Sequence, residues 1–250
     1  MKSLLPAFVM LPAALHGAPA RAMLEQADYV AVAVSVLRVE APRQRGGFAL
    51  GSAVAVAPDK VVTNCHVTRE ALAVNVLRGG LRYAAAAQAA DVAHDLCLLD
   101  VPGLGATPAR LGRATALAIG QSVTALGYTG GTGIQNSTGE VVRLHRYDGA
   151  CVIQSSNFFN SGASGGGLFD DEGRLVGILT FRLRGAAAHY YSAPVEWVQQ
   201  LLADSARGDF HTVLPLDSAQ LPYWQAGPSQ RPAFLDAAGD TAPAEPCSLH

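Results

Sequence analysis

The chain has 250 residues, of which half are hydrophobic and only 15% charged, with 18 Lys and Arg set against 20 Asp and Glu. That length can bury a sizeable core in one or two domains. The composition excludes a disordered acidic segment, a coiled coil and a multi-span membrane protein, and a net charge of −2 with no Lys/Arg run leaves no nucleic-acid footprint.

Residues 1–22 read as a signal peptide. Lys2 is a positive start, Leu4 to Leu15 is an apolar run, and small residues lead to a cleavage site after Ala22. Pro6, Pro12 and Pro19 disfavour a buried helix there, and the run is too short to span a bilayer comfortably. No later apolar run predicts a membrane span in the mature chain. An exported chain permits disulfides. Cys65, Cys97, Cys151 and Cys247 allow three full pairings, among which the sequence does not choose, and their spacing with the scattered His fits no metal site.

From Ala27 to Ala193 the pattern is one of short strands. Val30, Val32, Val34 and Val36 alternate with small residues. Ala49–Ala57, Lys60–Thr63, Ala71–Leu77, Leu81–Ala89 and Asp95–Val101 follow, bounded by turn signals. Pro102–Arg113 is loop-like and divides 23–107 from 108–204. A second series covers Ser122–Tyr128, Gly139–Leu144, Ala150–Gln154, Arg174–Arg182 and His189–Ala193. Many short strands without intervening helices predict a sandwich or barrel, not βαβ units. One helix is expected, opening at Pro194 and continuing through Leu201 and Leu202. Residues 205–250 form a Pro-rich extended tail, whose middle (Phe210, Leu214, Leu216, Leu221, Tyr223, Trp224) is apolar enough to pack on the domain or cover a groove.

Three segments carry chemistry: GSAVAVAPDKVVTNCHV ending at His66, HDLCLLDV with Asp95, and NSGASGGGLFD with Ser164. A serine hydroxyl becomes a nucleophile when an imidazole about 3 Å away takes its proton. The imidazole needs a carboxylate to fix its tautomer, and the tetrahedral oxyanion needs N–H donors. Gly162 and Gly165 permit a tight loop around Ser164, and the N–H groups of Gly162 and Ser164 are the expected donors. His94 would point away from the site if it lies in a strand with residues 95–99, and a Cys65–His66 nucleophile pair would face opposite ways for the same reason.

Together these blocks resemble the chymotrypsin-fold, trypsin-like serine proteases, in the style of the bacterial HtrA/Deg-like catalytic domains without a PDZ domain. TN-x-HV is Thr63 to Val67, DL-x-LL is Asp95 to Leu99, and G-x-SGG is Gly162 to Gly166, in the family's order of His, Asp and Ser. The resemblance covers roughly residues 28–203. It implies an all-β fold of two six-stranded antiparallel β-barrels, with a C-terminal helix and the active site in the cleft between them. Ala163 stands where pancreatic-type members carry an acid and bacterial members usually Asn, so activation by a freed N-terminus is not expected. Cys65 precedes His66, where the pancreatic-type enzymes have a cysteine after it, so their disulfide does not carry across.

The resemblance also implies a substrate pocket. Phe158, Phe159, Asn160 and Ser161 would form its base and one wall, and Thr180, Phe181 and Arg182 a second wall. With Phe158 in place of an acid at the base, a small or medium apolar side chain is expected there rather than Arg or Lys, while Arg182 and Arg184 could favour acidic groups nearby. The implied activity is an exported serine endopeptidase, periplasmic or secreted. It would act on peptides or proteins through an acyl-enzyme on Ser164, with no cofactor or metal. The alternative is a catalytically silent homologue that binds peptides or envelope proteins.

Overall fold

The computed structural model describes residues 26–130, 133–183, 189–208, 211–212, 216, 220–236 and 247. The expected signal segment 1–22, Arg184, and Phe210 and Leu214 of the tail lie outside them. Helix α1 is Gln26–Ala33. The N-terminal half contains β1 (Val36–Pro42), β2 (Phe48–Ala57), β3 (Lys60–Thr63), the short helix α2 (Cys65–Thr68), β4 (Asn75–Arg78), β5 (Leu81–Ala84), β6 (Ala87–Asp91) and β7 (Leu96–Asp100). The second half contains β8 (Ser122–Tyr128), β9 (Ile134–Tyr147), β10 (Ala150–Ser155), β11 (Gly167–Asp170), β12 (Leu175–Leu183), β13 (His189–Pro194) and α3 (Val195–Ser205), followed by β14 (His211–Thr212). Among the described residues no helix is long and apolar enough to cross a membrane.

The second half closes into a six-stranded barrel in the order β10-β13-β12-β11-β8-β9. The first half does not close, which overturns the expectation of two six-stranded barrels. It is an open sheet in the order β14-β6-β7-β3-β2-β1-β4-β5. The reason lies at residues 84–87, four alanines where a hairpin would need turn residues. The Ala85 N–H bonds to Val74 O and the Ala86 N–H to Asp100 O, so the chain steps from one edge of the sheet to the other without laddering β5 on β6. The tail strand β14 takes the free edge of β6, pairing His211 with Gln88 and Thr212 with Ala87. An unpaired edge is a template for aggregation, and β14 covers the first two residues of this one.

A second correction concerns Val30 to Val36. Residues 26–33 are helical, and β1 starts only at Val36. Val and Ala are both apolar, so their alternation marks no polar face, and Ala31 and Ala33 favour helix in a segment with no strand partner. A third concerns Cys65 and His66, which lie on α2 rather than in a strand. The helix at 195–205 forms as expected, with Pro194 as its N-cap.

Strand alternation distributes side chains between two cores. Val61, Leu99, Ala53 and Ala55 face the interior of the open sheet with Leu37, Val39 and Val76. Their neighbours Val62, Leu98 and Val54 face the other way, into a cluster shared with Leu126, Phe169 and Ile178 of the barrel and Trp197 of α3. Strands β2, β3 and β7 are therefore apolar on both faces, and the second face joins the halves. His94 adds a polar tie. Its Nδ1 lies 2.6 Å from Asp91 and its Nε2 2.9 Å from Asp148, in the β9–β10 turn, while the ring stacks on Trp197 at 3.9 Å.

The tail is less of an appendage than its composition suggests. Tyr223 and Leu235 join the shared core, and Cys247 bonds to Cys151, the second of two disulfides beside Cys65–Cys97. Tyr223 packs among Tyr147, Phe181, Trp197 and Phe234. Burial raises its phenol pKa well above the usual value, with the Asp95 charge and then the Tyr147 and Tyr191 phenols adding to this. The folded chain thus keeps a proton that the unfolded chain releases above about pH 10, so stability falls as pH rises past that point. The Tyr223 hydroxyl is also buried without a hydrogen-bond partner among the described residues. Tyr223→Phe should lessen the alkaline loss and should not destabilise the fold at neutral pH. Urea titrations of both proteins near pH 7 and at about pH 11 check this.

Candidate active site

The antiparallel pairing of β3 with β7 sets Val62 opposite Leu98 and Thr63 opposite Cys97. Extended past the ends of both strands, that register brings residue 65 opposite 95 and so carries His66 to Asp95. Four hydrogen bonds and one disulfide hold the junction. The Asp95 carbonyl accepts from Asn64 Nδ2 at 2.9 Å and from the Cys65 N–H at 3.2 Å. The carboxylate accepts the His66 backbone N–H at 2.8 Å on one oxygen, and the other lies 2.6 Å from His66 Nδ1. Cys65–Cys97 brackets both residues. Asp95 is fully buried and adopts φ +61°, an uncommon conformation for a side-chain-bearing residue. An ionised carboxylate only accepts, so Nδ1 carries the proton and Nε2 is left as an acceptor. The His66 side chain keeps 26% of its surface exposed.

Ser164 sits in the turn before β11. Gly162 has φ +98° and Gly165 φ +85°, and a Cβ at Gly165 would overlap the Ser52 carbonyl and the Thr63 hydroxyl. Within this turn the amides of Ala163, Gly165 and Gly166 bond to Asn160 O, Leu179 O and Ala163 O. Among the described residues no acceptor takes the N–H of Gly162 or Ser164. A free amide on the serine itself and another two residues before it are the donor arrangement an oxyanion requires. His66, Ser161, Gly162 and Ser164 line one cleft of about 410 Å³, which continues along Arg43, Phe48, Leu50 and Val67.

Residues 51–178, just over half of the chain, match the trypsin-like peptidase domain family. The chain belongs to that family. It is 31% identical to the chloroplastic Protease Do-like 2 of Arabidopsis thaliana over 188 residues, which are 69% of this chain and 31% of that protein. It is 32% identical to the periplasmic serine endoprotease DegP of Escherichia coli strain K12 over 149 residues, 55% of this chain and 31% of that one. The chain thus spans about a third of the length of these curated relatives. Among solved structures, the Rv3671c protease of M. tuberculosis in its active form superimposes with a TM-score of 0.67 at 24% identity, covering 80% of this chain and 93% of that one. The HtrA-type protease AlgW with a tripeptide does so with a TM-score of 0.64 at 26% identity, covering 71% and 62%.

The residues expected to shape a substrate pocket are dispersed in this peptidase domain. Phe158 is 57% exposed, its ring edge-on to Tyr190. With Phe159, Asn160 and Ala163 it lines a separate cavity of about 210 Å³ between the Ser164 turn and β8–β9. Ser161 lines the cleft itself. Thr180 is buried, its hydroxyl 3.4 Å from Asn64 Nδ2. Phe181 is buried between Tyr191 and Trp224, and Arg182 is exposed. His94 lies in the turn before β7, engaged with Asp91 and Asp148 and apart from the His66–Asp95 pair.

Sequence reasoning missed Asn64 and Ser52. Asn64 lay inside the TN-x-HV block. Ser52, fully buried, had no local signal, because its partners are in the other half of the chain. Its hydroxyl donates to Gly162 O at 2.8 Å and accepts the Tyr128 N–H at 2.8 Å, and its own N–H donates to Ser164 O at 2.8 Å. Ala163 has no polar side chain to steady this loop, and Ser52 does so from the opposite sheet. Ser52→Ala should therefore cost about 1–3 kcal/mol of stability by stranding the buried Gly162 carbonyl and the partly buried Tyr128 N–H. It should also slow acylation of Ser164 on the order of 10²-fold through misplacement of the loop. Denaturant melts and single-turnover labelling of the folded variant check the two effects.

Proposed function

We propose that the domain is a serine endopeptidase that cleaves peptide bonds in peptide or protein substrates. Ser164 attacks the carbonyl as His66 Nε2 takes its proton. Asp95 holds the imidazole and stabilises the imidazolium, which then protonates the leaving amine. Water enters by the same base and releases the acyl group from Ser164. The N–H groups of Gly162 and Ser164 receive the oxyanion. One observation carries this reading: a buried carboxylate 2.6 Å from an imidazole that opens on the same cleft as Ser164, where the N–H groups of Gly162 and Ser164 have no acceptor among the described residues. Under this proposal the chain divides into 23–107, bearing His66 and Asp95, and 108–204, bearing Ser164.

The periplasmic and chloroplastic relatives support a location outside the cytoplasm. The two disulfides fit an oxidising compartment. We further propose that the chain is exported by residues 1–22 and acts in the periplasm or outside the cell.

A fluorophosphonate probe should label the protein at Ser164, and the label should vanish in Ser164→Ala and on heating. Absence of label in a folded sample overturns the catalytic reading in favour of a peptide-binding homologue. Asp95→Asn should lower turnover by about 10⁴-fold while leaving the fold in place, because the wrong imidazole tautomer then faces Ser164. Peptide hydrolysis assays beside circular dichroism measure both.

A further inference from the structure

The tail places an aromatic ring at the edge of the site. The Trp224 indole stacks on Phe181 with centroids 4.9 Å apart and planes 10° from parallel, and it meets the His66 ring edge-on at 5.8 Å. Phe181 has Tyr191 on its other face, also at 4.9 Å, and is 6% exposed. A passing peptide therefore cannot use Phe181 as a wall. The partly exposed surface in that place belongs to Trp224.

Trp224 is not a dangling side chain. The Tyr223 N–H donates to Ala93 O at 3.0 Å, two residues before Asp95, and the Tyr223 ring is buried. The Gln225 N–H closes a turn on Pro222 O at 2.8 Å. Farther on, Leu235 sits in the shared core and Cys247 is bonded to Cys151. A ring held in this way presents apolar surface without the entropic cost of ordering a free side chain.

The position of the ring indicates what it would touch. A carbonyl on Ser164 must lie within reach of His66, with the cleft of Phe48 and Leu50 on one flank. The other flank runs beside β12, whose Leu179 O accepts the Gly165 N–H. An acyl chain laid along that flank from Ser164 would bring the side chain next to the one bearing the attacked carbonyl to the junction of His66 and Trp224. The ring does not seal the site, since the His66 side chain stays 26% exposed and Ser164 is partly exposed on the cleft.

We propose that Trp224 is a specificity-determining residue. It would form the wall of a tail-built subsite that selects an apolar side chain on the acyl side of the scissile bond, one residue before the residue whose carbonyl is attacked. The inference rests on the serine-peptidase reading above. It makes the tail part of the substrate-binding surface.

The test profiles peptide libraries varied at each position on both sides of the cleaved bond. The wild type should prefer apolar residues at that one position. Trp224→Ala should lower kcat/KM for those peptides on the order of tenfold, mainly through KM, with little change for peptides carrying a polar residue there. Trp224→Phe should restore most of the preference. Labelling of Ser164 by a small fluorophosphonate should stay near the wild-type rate in both variants, which separates a lost subsite from a damaged catalytic centre. An unchanged profile in labelled, folded Trp224→Ala overturns the proposal, and so does a general rise in cleavage of all peptides, which would make the ring a plug. An unlabelled wild type overturns the catalytic reading itself, a different readout.

A second measurement does not depend on the Trp224 variants folding with full stability. The chain has two tryptophans, and the other, Trp197, is 5% exposed. In Ser164→Ala, an intact peptide with a leucine at the selected position should change the tryptophan fluorescence, and one with a glutamate there should not. Equal responses to the two peptides overturn the proposal.

Discussion

The pairing of β3 with β7 is the constraint on which the site depends. A one-residue slip would turn Val62 and Leu98 out of the shared core and carry His66 away from Asp95 in the same movement. The geometry of His66 and Asp95 is therefore protected by hydrophobic burial some residues away. The polar groups at the junction add direction to a register that apolar packing has already chosen. The left-handed backbone at Asp95 is tolerable in this setting, since its carbonyl and carboxylate are together held by four hydrogen bonds.

The two halves of the chain are joined through side chains that alternate out of the sheet, and this explains the polarity of the Ser164 turn. The turn hangs from the barrel, yet its bracing comes from Ser52 on β2, with three hydrogen bonds crossing between the halves. A shift of one half against the other would be felt first at Gly162. The His94 tie between Asp91 and Asp148 restrains the same shift at the far side of the junction.

Much of this was legible in the sequence, for identifiable reasons. The three blocks around His66, Asp95 and Ser164 are local patterns, and β8, β10, β12 and β13 follow clear apolar runs between turn residues. The residues 26–33 misled because Val and Ala are both apolar, so their alternation sets no polar face against an apolar one. Closure of a sheet into a barrel depends on which edges meet, and the alanine stretch at 84–87 carries no mark of the step it makes between edges. Ser52 was invisible because its role is defined by Gly162 and Tyr128, more than 70 positions along the chain. The apolar middle of the tail marks Tyr223 as able to pack on the domain, while the sites that receive Tyr223, Leu235 and Cys247 are contacts that no window of sequence contains.

The bond between Cys151 and Cys247 closes a loop of 96 residues. In the chain-entropy account a closure of that size is worth about 4–5 kcal/mol. It also imposes an order of assembly. The segment it encloses holds Ser164, the barrel strands after β10, α3 and the indole beside His66, and the closing cysteine emerges from the ribosome after all of them. The register that pairs His66 with Asp95 draws on Leu126, Phe169 and Ile178 of the barrel, which pack against Val62 and Leu98, whereas the tail's position is set farther along the chain, at Tyr223, Leu235 and Cys247. Fixing the tail thus ends in an oxidation event that ties Cys247 to the barrel already carrying Ser164.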